Sequence, residues 1–421
     1  MRRIFFVCAA LVALTCACLF TRTSSSAKST SEVANENITF SKDVAPIFFK
    51  SCTGCHRPGE IAPMSLLTYK DARPWAKSIR DKVANKEMPP WHADPNHGEW
   101  RNDRRITQEA INTIIAWVNG GAPEGNPKDL PPTPEYTAGW RIGKPDETFS
   151  IPEQSVPAEG VVKYQYLTVP TNFKEDHLIT AAEIRSTGNQ AVHHVIVFIQ
   201  EPGTTRAEGR LLVGFAPGED PTVFAPGFAR KVPAGSNLVF QVHYTPNGTA
   251  VKDVTTVGLI YAKEPIKHTV ITRPVLQTAF EIPAGDPNYE VKSSYTFNDN
   301  AHLYSFMPHM HLRGKDFVYR AVFPDGTSKT LLSVPRYDFS WQTYYVAKDP
   351  IAMPKGTRIE CTAHFDNSTN NKYNPDPTKS VRWGDQTWEE MMVGFANLVF
   401  DAKIPVKDLF VPTSKRTTAS N

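Results

Sequence analysis

A multidomain chain, one small helical unit followed by two all-β sandwiches, is the architecture this sequence predicts. Three observations lead there. With 421 residues the chain is too long for one ordinary core. Its 35 prolines mostly flank short β-like runs, which favours antiparallel sandwiches with many turns over helical bundles. Helical periodicity, by contrast, falls between residues 38 and 129. The expected segments are 1–30 (an export signal and spacer), 38–129 (the helical unit), 130–143 (a Pro-rich linker), 144–264 (the first sandwich) and 267–412 (the second).

The N-terminus reads as a secretory signal. Arg2 and Arg3 precede the apolar run Ile4 to Leu14, and small residues and a Ser/Thr-rich stretch follow to Ser31. The run is short for a membrane span, and no later segment is apolar enough to cross a bilayer. Cys16 or Cys18 leaves a lipid anchor open, so the expected location is exported and periplasmic, soluble or lipid-anchored. The net charge of +3, with no basic run, argues against a nucleic-acid partner. Cys8, Cys16 and Cys18 fall in the signal, Cys52 and Cys55 form a pair, and Cys361 is alone, so no disulfide scaffold is expected.

The helical unit centres on Cys52-Thr53-Gly54-Cys55-His56. Two thiols at this spacing can add to the two vinyl groups of a haem, and the adjacent imidazole then reaches the iron. A redox dithiol would want a βαβ pattern around the motif, and a zinc site would want a second cysteine pair; neither is present. A short helix over Lys42 to Lys50 leads into the motif. A longer one, Gln108 to Val118, is capped by Thr107, stopped by Gly120-Gly121, and carries Ala110, Ile111, Ile114, Ile115 and Val118 on one face. The segment resembles a small class I cytochrome c. That resemblance implies one covalently attached c-type haem and, in Met88-Pro89-Pro90-Trp91, Met88 as sixth ligand, with Met64 or His92 as alternatives. Prolines make the following linker a fairly stiff spacer.

Beyond the linker, β-like runs recur at Val161–Val169, Leu178–Ile184, Ala191–Ile199, Asn237–Tyr244 and Val254–Tyr261. His193-His194 opens one of them. Adjacent side chains on a regular strand point to opposite faces, so both can reach one metal only if the backbone there is irregular. In the run ending Val242-His243-Tyr244, alternation turns His243 away from Leu238, Phe240, Val242 and Tyr244. The second sandwich echoes the first: Val232-Pro233-Ala234-Gly235 precedes His243, and Met353-Pro354-Lys355-Gly356 precedes His364 at the same spacing. His364 lacks a second local imidazole and reads as structural. His309-x-His311, by contrast, can aim two imidazoles at one point from an extended backbone. Met391 and Met392, after Glu389-Glu390, can be plain core filler.

Taken together, His193-His194, Gln241-Val242-His243-Tyr244, His309-x-His311-Leu312-Arg313-Gly314 and Glu389-Glu390-Met391 resemble the copper type II, ascorbate-dependent monooxygenases, which include the peptide-amidating and dopamine β-hydroxylating enzymes. The match covers residue 144 onward and implies two tandem jelly-roll-like sandwiches and two copper ions. His193, His194 and His243 would hold the copper that stores an electron. His309, His311 and Met391 would hold the copper where dioxygen is activated and form the catalytic set, with Met392 one residue from the same role. Where the peptide-amidating members carry an arginine before H-x-H, and an Asn and a Tyr after the ligand Met, this chain has Met307, Val393 and Phe395. The implied substrate is therefore a small, fairly apolar molecule that reacts with O2, with an external donor supplying electrons through the haem. The alternative is a non-catalytic electron-transfer or copper-handling protein on the same fold.

Overall fold

A computed structural model describes residues 38–136, 139–205, 209–216 and 218–404. The predicted export signal and residues 405–412 of the last predicted segment lie outside them. Strand makes up 39% of the chain and helix 12%, so the molecule is mainly β, as expected. No helix among the described residues is long and apolar enough to cross a membrane.

Eight strands build the first sandwich: β1 (Glu147–Ser150), β2 (Gln165–Pro170), β3 (His177–Ser186), β4 (Val192–Gln200), β5 (Arg210–Phe215), β6 (Phe228–Val232), β7 (Asn237–Tyr244) and β8 (Thr255–Tyr261). Eight more build the second: β9 (His268–Gln277), β10 (Tyr289–Thr296), β11 (Ala301–His309), β12 (Gly314–Val322), β13 (Ser328–Val334), β14 (Tyr345–Met353), β15 (Arg358–Phe365) and β16 (Met392–Asp401). In the first, sheet β1-β8-β3-β6 accompanies sheet β2-β7-β4-β5; in the second, β9-β16-β11-β14 accompanies β10-β15-β12-β13. The two orders are the same with eight added to each number. The Pro-to-His echo thus marks a real correspondence, because it ends in β7 and in β15, the second strand of the matching sheets.

Alternation places the cores. Leu238, Phe240, Val242 and Tyr244 of β7 pack with Val195, Val197 and Ile199 of β4, and Phe306, Met310, Phe317, Tyr319 and Met392 centre the second core. The sandwiches are not independent, as tandem domains would be. β6 and β9 pair in parallel, Phe228 opposite His268 and Ala229 opposite Thr269, and this joins one sheet from each half into a continuous surface. Arg230 beside that seam is 2% exposed. Its guanidinium donates to the carbonyls of Leu211 and Leu212 at 2.7 and 2.5 Å, and to Thr272 and Asn397 at 3.0 and 3.1 Å. A buried cation needs such partners, and here they come from both halves.

The N-terminal region folds as α1 (Ala45–Ser51), α2 (Tyr69–Ala72), α3 (Ala76–Ala84) and α4 (Gln108–Asn119). Thr107 caps α4, its hydroxyl accepting from the Ala110 N–H at 3.1 Å. The buried stripe of α4 is Ile111, Ile114 and Trp117, with Ile115 and Val118 only partly covered. Trp117 displaces the expected stripe because its indole N–H reaches the Pro123 carbonyl at 2.9 Å, turning the ring inward.

The expectation of a self-contained unit over 38–129, held by a spacer, needs correction. Trp91, Ala93 and Trp100 belong to the core of the second sandwich, where Trp91 packs on Tyr345 at 4.9 Å and Trp100 on Phe306 at 5.8 Å. Trp100 bridges Ala347, and the Arg101 N–H donates to Val346 O at 2.8 Å, so this stretch runs along the edge strand β14. The linker is pinned as well: Tyr136 bonds Thr53, and Ile142 N–H donates to Glu183 at 3.1 Å. Motif spacing carries no sign of this docking, which rests on aromatics scattered between the motifs.

Where the three parts meet, Arg104 faces the buried Glu219 at 4.0 Å. Burial, partly opposed by Arg104, pushes the Glu219 carboxyl up to about 7 from its ordinary 4.5. A carboxyl whose folded pKa is raised stabilises the fold fully below the unfolded value, and the contribution drains away as pH rises through the folded one. The melting temperature of Glu219→Gln is therefore expected to rise relative to the parent's between pH 4.5 and about 7, as read by calorimetry of both across the range.

Candidate metal centres and haem site

The first cluster depends on a defect in the ladder between β4 and β7. Val192 pairs with Tyr244 and His194 with His243, so His193 is an extra residue, a β-bulge. Val192 and Val195 on either side both enter the core, and the two histidines between them are left on the opposite side with His243. This is the irregular backbone that adjacent histidines require. His193 Nδ1 lies 3.1 Å from His194 Nδ1, and one ligand nitrogen from each of His193, His194 and His243 falls within 4.8 Å of the others. His243 Nδ1 is buried without a hydrogen-bond partner. Buried imidazole nitrogens are normally bonded, so an unpartnered one on a ring of this cluster fits a group that could hold a metal ion. Burial, with His309 nearby, lowers His193 to about 4; burial, with His193 nearby, lowers His243 to about 3. Both rings are neutral at pH 7, as ligation requires.

The second cluster lies on the register between β11 and β16. His309 sits opposite Val393 and Met307 opposite Phe395. Phe306, Met310 and Met392 point into the core, so Met307 and His309 share the other face with Val393 and Phe395. The Phe395 ring is 6.2 Å from that of His309, which confirms the face. Met391, two residues before Val393 and half-buried, immediately precedes β16. Met392 is fully buried and its sulfur accepts from the Ser293 hydroxyl at 3.4 Å. Met392 is therefore core filler, and Met391 precedes it just outside the strand.

His309 and His311 stand 5.2 Å apart, ring centre to ring centre. Each has one nitrogen already occupied. His309 Nδ1 bonds Gln342 Oε1 at 2.8 Å, and His311 Nδ1 bonds the Glu389 carbonyl at 3.1 Å. The Gln386 backbone also acts on His311, and such hydrogen bonds are the kind that orient metal-ligating imidazoles. The turn after His311 is held by Glu390, whose carboxyl accepts from the N–H groups of His311 (2.9 Å) and Arg313 (2.7 Å). Burial raises the Glu390 pKa to about 8.

The two clusters face each other. Phe339 lies parallel on the His193 ring at 5.0 Å and edge-on to His311 at 5.9 Å. Tyr164 from the first half meets His243 edge-on at 4.5 Å and reaches Thr387 of the second. His364 stands apart on β15, bonded to Asp316 at 2.7 Å and near Glu290, in the structural role expected of it. Cys361 is buried and free in the second core.

In the N-terminal region, Cys52, Cys55 and His56 follow α1, and both thiols are free. His56 Nδ1 bonds the Met64 carbonyl at 3.2 Å, leaving its Nε2 available. Burial, then Cys55, pushes the Cys52 thiol up to about 12, the reverse of what a reactive dithiol needs. A cavity of about 760 Å³ is lined by Met88, Trp91, His92, Arg105, Ile111 and Arg336 among others. Trp91 Nε1 is buried there without a partner. Cys52, Cys55 and His56 are not among the residues that line it. Met88 and His92 both border it, while Met64 contributes its carbonyl to His56.

Gln342, Phe339, Tyr164 and Glu390 were not evident as site residues in the sequence. Only Glu390, beside the candidate ligand, carried any signal.

No family model matches the chain, and no curated protein matches it. Among solved structures, a structure of PNGF-II aligns at TM-score 0.23 and 9% identity over 60% of this chain and 65% of that one. A structure of allantoicase aligns at 0.14 and 10% identity over 51% and 79%, and infectious bursal disease virus Gx strain at 0.16 and 9% over 60% and 72%. The chain thus spans 65% of the length of the PNGF-II chain it matches. At such TM-scores these likenesses carry no argument about fold or function.

His243→Ala is expected to cost one transition-metal ion per chain, and His364→Ala none, by elemental analysis of the metal-loaded protein.

Proposed function

We propose that the chain is an exported two-copper monooxygenase that hydroxylates a C–H bond of a small, fairly apolar substrate, with electrons supplied through a c-type haem on its own N-terminal region. The observation that carries this reading is the pair of opposed clusters, one of three imidazoles and one of two imidazoles, with Met391 immediately before β16, the strand paired to that of His309. The paired eight-stranded sandwiches are what the resemblance to the copper type II monooxygenases implies, and the CxxCH motif supports the haem. The N-terminal Arg-Arg and apolar run support export to the periplasm.

When bound, the copper ions supply one-electron storage and dioxygen activation, and the haem supplies one-electron transfer. The net reaction consumes one substrate C–H, one O2, two electrons and two protons; one oxygen atom enters the substrate and the other leaves as water. The residues do the rest. His193, His194 and His243 present nitrogens suited to copper in either oxidation state, whereas the Met391 thioether favours the cuprous ion. Gln342 and the Glu389 carbonyl hold the rings of His309 and His311 through Nδ1 of each. Glu390 keeps the His311 turn and the Met391 segment together. Met307, Val393 and Phe395 form an apolar wall beside His309 that excludes water and suits a hydrocarbon-like substrate. No cationic side chain stands at position 307 to grip a carboxylate, so peptidyl-glycine is not the substrate class. Zinc hydrolysis fits less well, because a thioether is a poor zinc ligand.

Met391→Ile is expected to abolish substrate-dependent O2 uptake while leaving the haem absorption spectrum and the three-histidine copper intact. Met392→Ile is expected to retain uptake. A copper-loaded parent that consumes no O2 with a reductant and a panel of apolar substrates would instead mark a non-catalytic copper-handling protein.

A further inference from the structure

Away from the histidine clusters, one cavity is walled by all three parts of the chain. It measures about 150 Å³, and its lining includes Leu212 of β5, Arg230 of β6, Tyr304 and Ser305 of β11, Asn397 of β16 and Arg101 of the N-terminal region. Roughly five water molecules would fill it, at ~30 Å³ each in the liquid, so it suits a ligand of a few heavy atoms. None of the lining residues is a histidine.

Charge sets this cavity apart. Burial lowers the Arg230 guanidinium to about 10 from its ordinary 12.5, so it stays cationic at pH 7. Its terminal nitrogens donate to the Leu211 and Leu212 carbonyls, the Thr272 hydroxyl and the Asn397 amide oxygen, which are all neutral. Its Nε is buried with no partner. The Arg101 side chain, exposed, donates to the Tyr304 hydroxyl at 3.2 Å and lies 5.4 Å over the Tyr304 ring, again without a carboxylate among the described residues. The two carboxylates on the wall, Glu219 and Asp220, are already matched. Glu219 faces Arg104 at 4.0 Å, and Asp220 pairs with Arg104 at 3.7 Å and with Arg141. The wall and its ion pairs thus hold four guanidinium groups, those of Arg101, Arg104, Arg141 and Arg230, against two carboxylates. A buried charge without a counter-charge is unfavourable, and an anion in the adjoining space offsets it.

Neutral donors surround the same space and are held in place. Thr272 Oγ1 donates to Asn397 Oδ1 at 2.5 Å, and Asn397 Nδ2 to Ser305 Oγ at 2.7 Å, which leaves the Ser305 hydroxyl its own proton to give. A Cβ on Gly214 would stand 3.0 Å from the Tyr344 hydroxyl, so the glycine lets that hydroxyl approach the wall. Asn102 braces the segment behind it, donating to Tyr344 O at 2.7 Å and accepting from the Val346 N–H at 3.0 Å.

We propose that this cavity binds one small oxyanion, a monocarboxylate or inorganic phosphate, through the charges of Arg230 and Arg101 and the hydroxyls of Ser305 and Tyr344. The bound anion touches both sandwiches and the N-terminal region, and therefore stabilises their assembly by mass action. The site stands independently of the proposed oxygenase chemistry.

Isothermal titration calorimetry of the metal-loaded full chain, at pH 7 and constant ionic strength, tests it with acetate and inorganic phosphate as probes in a chloride background. Saturable binding at one site per chain is expected, with the same isotherm after copper is removed and a melting temperature that rises with the bound probe. Saturation by acetate alone would identify a carboxylate site, and by phosphate alone a site for a tetrahedral oxyanion; either supports the proposal. Arg230→Gln is expected to remove saturable binding. Arg101→Gln, which alters an exposed side chain and keeps the test open should the Arg230 variant not fold, is expected to weaken binding about fivefold or more without changing the anion-free melting temperature. Absence of saturable binding by either probe, loss of binding along with the copper, or an Arg101→Gln isotherm equal to the parent's would each overturn the site and leave the proposed function standing.

Discussion

Two residues set against one, where β4 meets β7, are the constraint on which the rest of the site depends. A regular ladder would send His193 and His194 to opposite faces and bury one of them in the first core. The bulge gives up ladder hydrogen bonding at one position and in return turns both imidazoles to the side of His243. The same sheet stays well packed on its other face, where Val192, Val195 and Val242 keep their alternation. The cost of the irregularity is local, and a cluster of neutral, buried imidazoles is what it makes available.

That cluster would face solvent if the halves were merely strung together. The parallel pair between β6 and β9 fixes the two sandwiches edge to edge, and Arg230 ties the seam with donors satisfied from both sides. The histidine face of β11 and β16 is thereby brought to the histidine face of β4 and β7, with Phe339 between them. Opposite strand partners share a face, so the register of β11 on β16 sets Val393 and Phe395 beside His309 and Met307 and leaves Met392 in the core. Folding and site geometry are the same fact here. Slipping β16 by one residue would exchange Met391 for Met392 and turn the apolar wall inside out.

Much of this was legible in the residues. The CxxCH string, the His-x-His pair and the alternation around His243 each carry their own geometry, and the Pro-to-His echo disclosed the doubled sandwich. What could not be read has physical reasons. A bulge leaves no residue-type signature when the extra residue is itself the ligand, so the irregularity at His193 could be required but not located. Phe339 and Gln342 act from a loop with no periodicity, and their partners lie far away in sequence. Trp91 and Trp100 sit between the CxxCH string and the last helix, which drew them into the helical unit. Their burial against Tyr345 and Phe306 is a long-range packing choice that local pattern does not encode.

The central claim is that one metal has only imidazole neighbours while the other is also within reach of a thioether. X-ray absorption at the copper edge of the fully reduced, copper-loaded protein tests it most directly. The predicted result is a sulfur scatterer at half of the copper, with imidazole nitrogen at all of it. A spectrum of nitrogen and oxygen alone, with full copper loading, would contradict the assignment of Met391 and with it the account of the second site.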